Sequence, residues 1–164
     1  MFTKIHHTGI TVTNYGRSLK FYRDTLGLQV VTEIEFDRSP SAQTIHALKN
    51  ERFRLSFLAV PEDLGGGMIE LFYFLSPKGV KARRRHRVCD HGWTHICFLT
   101  NDIDKQYKQL KAKGVKFTTP PIQVQTTGIR VPRRPKTEMA PTMGQVRATY
   151  FYDPDGLILE MIQL

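Results

Sequence analysis

Ile5-His6-His7-Thr8-Gly9-Ile10 and Thr94-His95-Ile96-Cys97-Phe98 open two stretches of the chain that read as copies of one another. The first copy closes on Met68-Ile69-Glu70-Leu71 and the second on Leu157-Ile158-Leu159-Glu160-Met161. His7 precedes Glu70 by 63 positions and His95 precedes Glu160 by 65, so a duplicated unit would carry one His/Glu pair at equivalent places in each copy. Two such pairs are how duplication assembles a four-ligand metal site.

The segments between these landmarks repeat as well. Ile5 to Val12 is a short apolar and β-branched run, after which Asn14 can cap a helix with Leu19, Tyr22 and Leu26 on its inward stripe and Gly27 as its stop. In the second copy the strand is Trp93 to Leu99, the cap is Asn101 or Asp102, the stripe is Ile103, Tyr107 and Leu110, and Gly114 ends the helix before Val115-Lys116-Phe117. Further strand-like runs follow at Leu28 to Phe36, Phe53 to Val60 and Met68 to Leu75, then near Phe117, at Val146 to Tyr152 and at Leu157 to Leu164. Gly65-Gly66-Gly67 and Asp153-Pro154-Asp155-Gly156 are turn signals directly before the two Glu-bearing strands. Each copy reads as βαβββ, which makes the fold class α+β. The expected organisation is one domain over 1–164, built from modules 1–75 and 93–164 and joined by a basic linker 76–92. The segment Gly128 to Gly144, with Pro132, Pro135 and Pro141, falls outside the repeat and reads as a Pro-punctuated loop.

With 164 residues, 40% hydrophobic and 24% charged, the chain can bury a core without staples and fits neither a disordered nor a membrane class. No apolar run approaches the roughly 20 residues that span a bilayer, and Met1 to Lys4 does not open a signal peptide, so a cytoplasmic protein is expected. Two cysteines, Cys89 and Cys97, are too few for a disulfide framework, and Cys97 in its apolar run is expected to be buried. The net charge of +9 favours a small anionic partner. Ten of the 24 cations crowd two segments, Lys78, Lys81, Arg83, Arg84, Arg85 and Arg87 in the linker, and Arg130, Arg133, Arg134 and Lys136 in the Pro-rich loop. They are either a solvated surface or a grip on an anionic substrate tail. Arg17, Lys20, Arg23, Lys105, Lys108 and Lys111 lie off the apolar stripes and mark outward helix faces. No nucleic-acid-binding motif accompanies any of these cations, so nucleic acid is not an expected partner.

Side chains alternate along a strand, so His6 and His7 should point to opposite faces and only one can enter a shared pocket. Alignment of the repeats selects His7. His91 and His95, four residues apart in an extended chain at about 3.3 Å per residue, would be about 13 Å apart, too far to share one ion. Glu70 and Glu160 each interrupt an apolar strand, where a carboxylate must face solvent, pair with a cation or bind metal. Taken singly, a solvated face is the ordinary reading of either one. The joint pattern points to a divalent Ni, Co, Zn, Mn or Fe held by His7, Glu70, His95 and Glu160, with open positions for water or two adjacent substrate oxygens.

The chain resembles the vicinal oxygen chelate superfamily, and within it the lactoylglutathione lyases (glyoxalase I). The resemblance lies in His7-Thr8-Gly9-Ile10-Thr11-Val12 with Leu19-Lys20-Phe21-Tyr22-Arg23-Asp24-Thr25-Leu26-Gly27-Leu28, then Ile69-Glu70-Leu71, Thr94-His95-Ile96 and Asp153-Pro154-Asp155-Gly156-Leu157-Ile158-Leu159-Glu160. It implies that the paired modules form a cupped mixed sheet around a metal site, with His7, Glu70, His95 and Glu160 as ligands from four strands. Relatives such as extradiol dioxygenases and fosfomycin-resistance enzymes match only His7, His95 and Glu160, so Glu70 tilts the reading toward lyases and epimerases. Phe72-Tyr73-Phe74 departs from a typical bacterial glyoxalase I, which offers a polar residue there to help hold glutathione.

The activity this implies is a metal-dependent lyase or isomerase that moves a proton on an α-hydroxy or α-keto, hemithioacetal-like substrate through an enediolate. Glu160 would move the proton and Glu70 would be its counterpart on the opposite face, with glutathione or another thiol as co-substrate. A homodimer is expected. The rival readings are a metal-dependent dioxygenase, an acyl-CoA epimerase, or a drug-binding resistance protein on the same fold.

Overall fold

The computed structural model describes residues 3–64, 66–80, 87–89, 91–124 and 146–164. The chain forms two compact units, Met1–Arg84 and Arg85–Leu164.

In the first unit, β1 (His7–Thr11) leads into α1 (Tyr15–Lys20), whose N-terminus is capped as the sequence suggests, with Asn14 Oδ1 accepting from the Arg17 backbone N–H at 3.0 Å. The expected single helix does not stay α-helical. From Phe21 to Thr25 it widens into a π-helical turn before Gly27, at φ +83°, ends it. Ser18 and Tyr22 are fully buried, so the inward stripe is centred on these two, with Leu19 and Leu26 half-buried at its margins. β2 (Gln29–Asp37), β3 (Arg52–Ala59) and β4 (Met68–Ser76) complete a four-stranded mixed sheet in the order β1-β4-β3-β2, with β1 parallel to β4 and the other pairs antiparallel.

A second helix, α2 (Pro40–His46), which strand periodicity does not announce, fills the β2–β3 connection. Its Ala42 packs with Phe53 and Leu55, and Phe36, Phe57, Phe72 and Phe74 close around them. These rings share a face by register, since Phe53 stands opposite Phe74, Leu55 opposite Phe72 and Phe57 opposite Glu70. On the other face, the Tyr15 hydroxyl bridges Glu33 and the fully buried Ser56.

The second unit repeats the plan. β5 (Ile96–Leu99), α3 (Ile103–Ala112), β6 (Ile122–Gln123), β7 (Arg147–Tyr152) and β8 (Ile158–Gln163) form a sheet in the order β5-β8-β7-β6, the same order as in the first unit. Of the two candidate caps, Asp102 takes the role and accepts from the Lys105 N–H at 3.0 Å. Ile103 and Leu110 are buried, and Tyr107 packs edge-on against Phe117. The strand expected near Phe117 reduces to a single bridge to Phe151 plus the two residues of β6. The expected strand Trp93–Leu99 begins only at Ile96, and Trp93 is exposed. The turn before β8 is built by the buried Asp153, whose Oδ1 accepts from the N–H groups of Asp155 and Leu157, with Gly156 at φ +90°.

The α+β reading with two βαβββ units is therefore the observed architecture. The six helix cations Arg17, Lys20, Arg23, Lys105, Lys108 and Lys111 all lie exposed, as their positions off the stripes require. Among the described residues, no helix is long and apolar enough to cross a membrane.

Candidate metal centre

Parallel pairing of the first and last strands of each unit creates the same local geometry twice. In the first unit Gly9 stands opposite Glu70, which places His7, two residues earlier on β1, diagonally across from the carboxylate on one face. Ile69 and Leu71, the neighbours of Glu70, are buried on the other face, so core packing of the flanking residues aims the carboxyl group. His7 Nε2 lies 3.2 Å from Glu70 Oε2. In the second unit Cys97 stands opposite Glu160, His95 lies two residues before Cys97, and Leu159 and Met161 are buried. His95 Nε2 lies 3.1 Å from Glu160 Oε2. The side chains of Glu70 and Glu160 retain only 13% and 17% exposure, too little for the fully solvated face that either Glu alone would suggest.

These separations suit a shared cation. Ligand bonds of about 2.1 Å put neighbouring donor atoms about 3.0 Å apart on an octahedron and about 3.4 Å apart on a tetrahedron. Each pair falls between the two values, and imidazole nitrogen with carboxylate oxygen is a donor set for borderline divalent ions. Each unit thus presents one His/Glu pair spaced to hold a cation. Among the described residues, no three His, Cys, Asp or Glu side chains converge closely enough to hold an ion.

Burial pushes the Glu70 carboxyl above its ordinary pKa, partly offset by the charges of His7, His46 and His6. Tyr150 stands opposite Glu160 across the β7–β8 pair, and burial together with the Glu160 charge raises its phenol. Cys97, across the β5–β8 pair, has its thiol pushed up to about 12, first by desolvation and then by its hydrogen bond to Glu160. The expectation that Cys97 is a buried core residue is corrected, because the residue retains an exposed surface. Its position opposite Glu160 puts it on the carboxylate's face, turned from the core that holds Leu159 and Met161.

His6 is also corrected. Strict alternation would send it away from His7, yet their Nδ1 atoms are 2.8 Å apart and the His6 ring lies 6.3 Å from Phe57, the ring opposite Glu70. The reason is that β1 begins at His7, so His6 sits at the frayed end of the ladder, held only by its carbonyl, which accepts from the Met68 N–H at 3.0 Å. His91 is exposed in the bend before β5. Of the linker and loop cations, Lys78 is described and sits over the Tyr73 ring, 5.1 Å from its centroid, and Arg87 is exposed. Lys81, Arg83, Arg84, Arg85, Arg130, Arg133, Arg134 and Lys136 lie outside the described residues.

Two residues on the aromatic face escaped sequence reasoning. His46, the last residue of α2, packs its ring against Phe53, Phe72 and Phe74, and its Nδ1 lies 2.9 Å from Oε2 of the fully buried Glu51. The usable signal was weak, a Ser39-Pro40 helix start followed by a His and a Glu five residues apart.

Comparison with known proteins agrees with this geometry. Residues 4–161 match the Glyoxalase/Bleomycin resistance protein/Dioxygenase superfamily. The uncharacterized protein YaeR of Escherichia coli (strain K12) is 31% identical over 160 residues, covering 98% of this chain and 95% of that protein. Glyoxalase I of Saccharomyces cerevisiae is 25% identical over 129 residues, covering 69% of this chain and 36% of the yeast protein. The crystal structure of the glyoxalase family protein APC24694 from Bacillus cereus matches the fold with a TM-score of 0.76 at 18% identity, covering 99% of this chain and 95% of that one. The repeated sheet order, the matched register of the two His/Glu pairs and the near-complete span of the match lead to one assignment: this chain belongs to the Glyoxalase/Bleomycin resistance protein/Dioxygenase superfamily.

Proposed function

We propose that the protein is a metal-dependent lyase or isomerase of the glyoxalase type, and that His7, Glu70, His95 and Glu160 hold one divalent ion, Ni, Co, Zn, Mn or Fe. The observation that carries this reading is the recurrence of one His–Glu contact, at 3.2 and 3.1 Å and in matching register, in two sheets of identical strand order. When bound, the ion would polarise the vicinal oxygens of an α-hydroxy or α-keto substrate and stabilise the charge that develops as the adjacent proton leaves.

The protein's own residues supply the rest. Glu160 moves the proton between adjacent carbons and Glu70 is its counterpart, each carboxyl being partly shielded from water and aimed by its buried flanking residues. The hemithioacetal-like substrate is a small anionic molecule, with glutathione or another thiol as carrier. The same proposal includes a homodimer and a cytoplasmic location.

The test uses methylglyoxal with glutathione, or with another thiol, and follows loss of the hemithioacetal together with solvent deuterium exchange at the migrating carbon. Turnover without oxygen uptake is expected. In Glu160→Gln it should fall about 10²–10⁴-fold, because an amide oxygen can coordinate but cannot act as a base. Oxygen consumption with a catechol would overturn the isomerase in favour of a dioxygenase, since moving a proton between adjacent carbons needs no O₂.

A further inference from the structure

The His46–Glu51 pair is a second polar cluster, on the same aromatic face as Glu70 and unused by the chemistry above. Glu51 is fully buried, and its Oε1 has no hydrogen-bond partner among the described residues. Oε2 meets His46 Nδ1 at 2.9 Å. A buried carboxyl with an orphaned oxygen is a net cost to folding, so a purely structural pair would be expected to satisfy both oxygens.

The segment also does not need this pair to close. Gln43 Nε2 donates to the Arg38 carbonyl at 2.9 Å, Gln43 Oε1 accepts from the Asn50 N–H at 2.7 Å, and the Arg38 N–H donates to the Glu51 carbonyl at 2.8 Å. Three bonds already tie both ends of α2 to the β2–β3 connection.

What the pair does achieve is to fix an imidazole on the face that carries Glu70. His46 ring contacts run to Phe53 at 5.2 Å, Phe72 at 5.8 Å and Phe74 at 6.1 Å. Phe72 follows Glu70 by two residues on β4, and the two converge over Gly9. A Cβ there would lie 3.5 Å from Phe72 Cε2 and 3.6 Å from Glu70 Oε2. His46, Phe72 and Glu70 therefore form one continuous surface. With Nδ1 engaged by Glu51, Nε2 is left without a partner among the described residues, and the His46 side chain keeps 27% exposure.

We propose that His46, oriented by Glu51, is a substrate-binding residue: its Nε2 hydrogen-bonds an oxygen of the substrate, and the half-buried rings of Phe57 and Phe72 pack a flat apolar substituent on that substrate. The ligand class is a 2-oxo or 2-hydroxy carbonyl compound bearing an aryl or similarly planar group. The inference rests on the glyoxalase-type reading only in placing the substrate's vicinal oxygens beside Glu70.

The test is calorimetric binding of benzoylformate, which joins vicinal oxygens to a phenyl ring, against pyruvate, which has a methyl group in its place. Wild-type protein with its metal content measured should bind benzoylformate at least about tenfold more tightly than pyruvate. His46→Asn keeps a donor near Glu51 and removes Nε2. His46→Phe keeps the ring packing and removes both nitrogens. Each should weaken benzoylformate binding about five- to tenfold, as loss of one hydrogen bond of about 1 kcal/mol predicts, while metal content stays at the wild-type level. Wild-type affinity in either folded variant, or equal affinity of the wild-type protein for the two acids, overturns the proposal. Benzoylformate binding of the expected pattern without hemithioacetal turnover would sink the lyase reading and leave this one standing.

Discussion

Removing Glu160 as Glu160→Ala deletes one of the two donors of the pair formed with His95, 3.1 Å apart, and leaves the His7–Glu70 pair untouched. Loss even of a group that only orients a ligand typically costs about 10–100-fold in metal affinity, so a ligand itself should cost at least that. The loss converts directly into thermal stability. A cation present at about 1,000 times its dissociation constant stabilises the folded protein by about 4.1 kcal/mol, and each tenfold weakening removes about 1.4 kcal/mol of this. At about 2–4 °C per kcal/mol for a chain near this size, the metal-dependent rise in Tm should shrink by about 3–11 °C for a 10–100-fold loss. The assay is melting with and without added metal, alongside elemental analysis after equilibrium dialysis of protein purified without a histidine tag. His95→Ala should behave like Glu160→Ala, and His7→Ala should match both, because the two pairs are equivalent. Full occupancy and an unchanged metal-dependent Tm rise in Glu160→Ala and His95→Ala would remove these residues from the site.

Three further outcomes can be checked alongside. His6→Ala should weaken metal binding by about tenfold, because an imidazole that ligates through Nε2 carries its proton on Nδ1 and His6 Nδ1 stands 2.8 Å away to accept it, whereas His91→Ala should leave occupancy unchanged. Neutralising Arg83, Arg84 and Arg85 together should raise KM for a glutathione adduct, with an effect that fades as salt shortens the Debye length below about 8 Å; an unchanged KM at low salt returns this linker to plain solvation. Tyr15 has its phenol raised above the ordinary value, first by burial and then by its hydrogen bond to Glu33, so the folded state favours the protonated form. The stability this contributes is complete below the unfolded pKa of about 10 and is lost as pH rises through the higher folded value. Tyr15→Phe should cost about 1 kcal/mol at neutral pH and flatten the decline of denaturant midpoint above pH 10; a decline of the same slope in the variant would assign it elsewhere.

The parts of the fold that could be read from the chain are those whose signal is local and repeated. Asn14 and Asp102 cap helices because a short polar side chain before an apolar stripe has that role wherever it occurs, and Gly27 and Gly114 adopt the positive φ that ends them. The contact of His7 with Glu70 and of His95 with Glu160 was legible for a different reason, since duplication prints the same His/Glu spacing twice and so separates it from a chance charged residue on a strand. The failures share a cause as well. Alternation misplaces His6 because it holds firmly only within a paired strand, and His6 stands at the end of the ladder, one residue before β1 begins. Cys97 was assigned to the core from its apolar neighbours, although a strand hides every second residue and Cys97 falls in the phase of Glu160.

His46 and Glu51 were illegible because no apolar period announces them: His46 ends the short α2 and Glu51 directly precedes β3. Their meaning comes from β3 and β4, which lie beyond them in the chain and supply Phe53, Phe72 and Phe74. Duplication sharpens the contrast. The second unit has no helix among its described residues that corresponds to α2, and Tyr150 stands opposite Glu160 where Phe57 stands opposite Glu70. The His/Glu pairs are the part that both copies retain, and the surroundings of the two carboxylates are the part in which they diverge. In the proposed reaction two carboxylates in identical settings would be interchangeable, whereas burial raises the Glu70 carboxyl beside its apolar rings and Glu160 sits beside the protonated Tyr150 phenol and Cys97 thiol, a difference that would let the two take different roles.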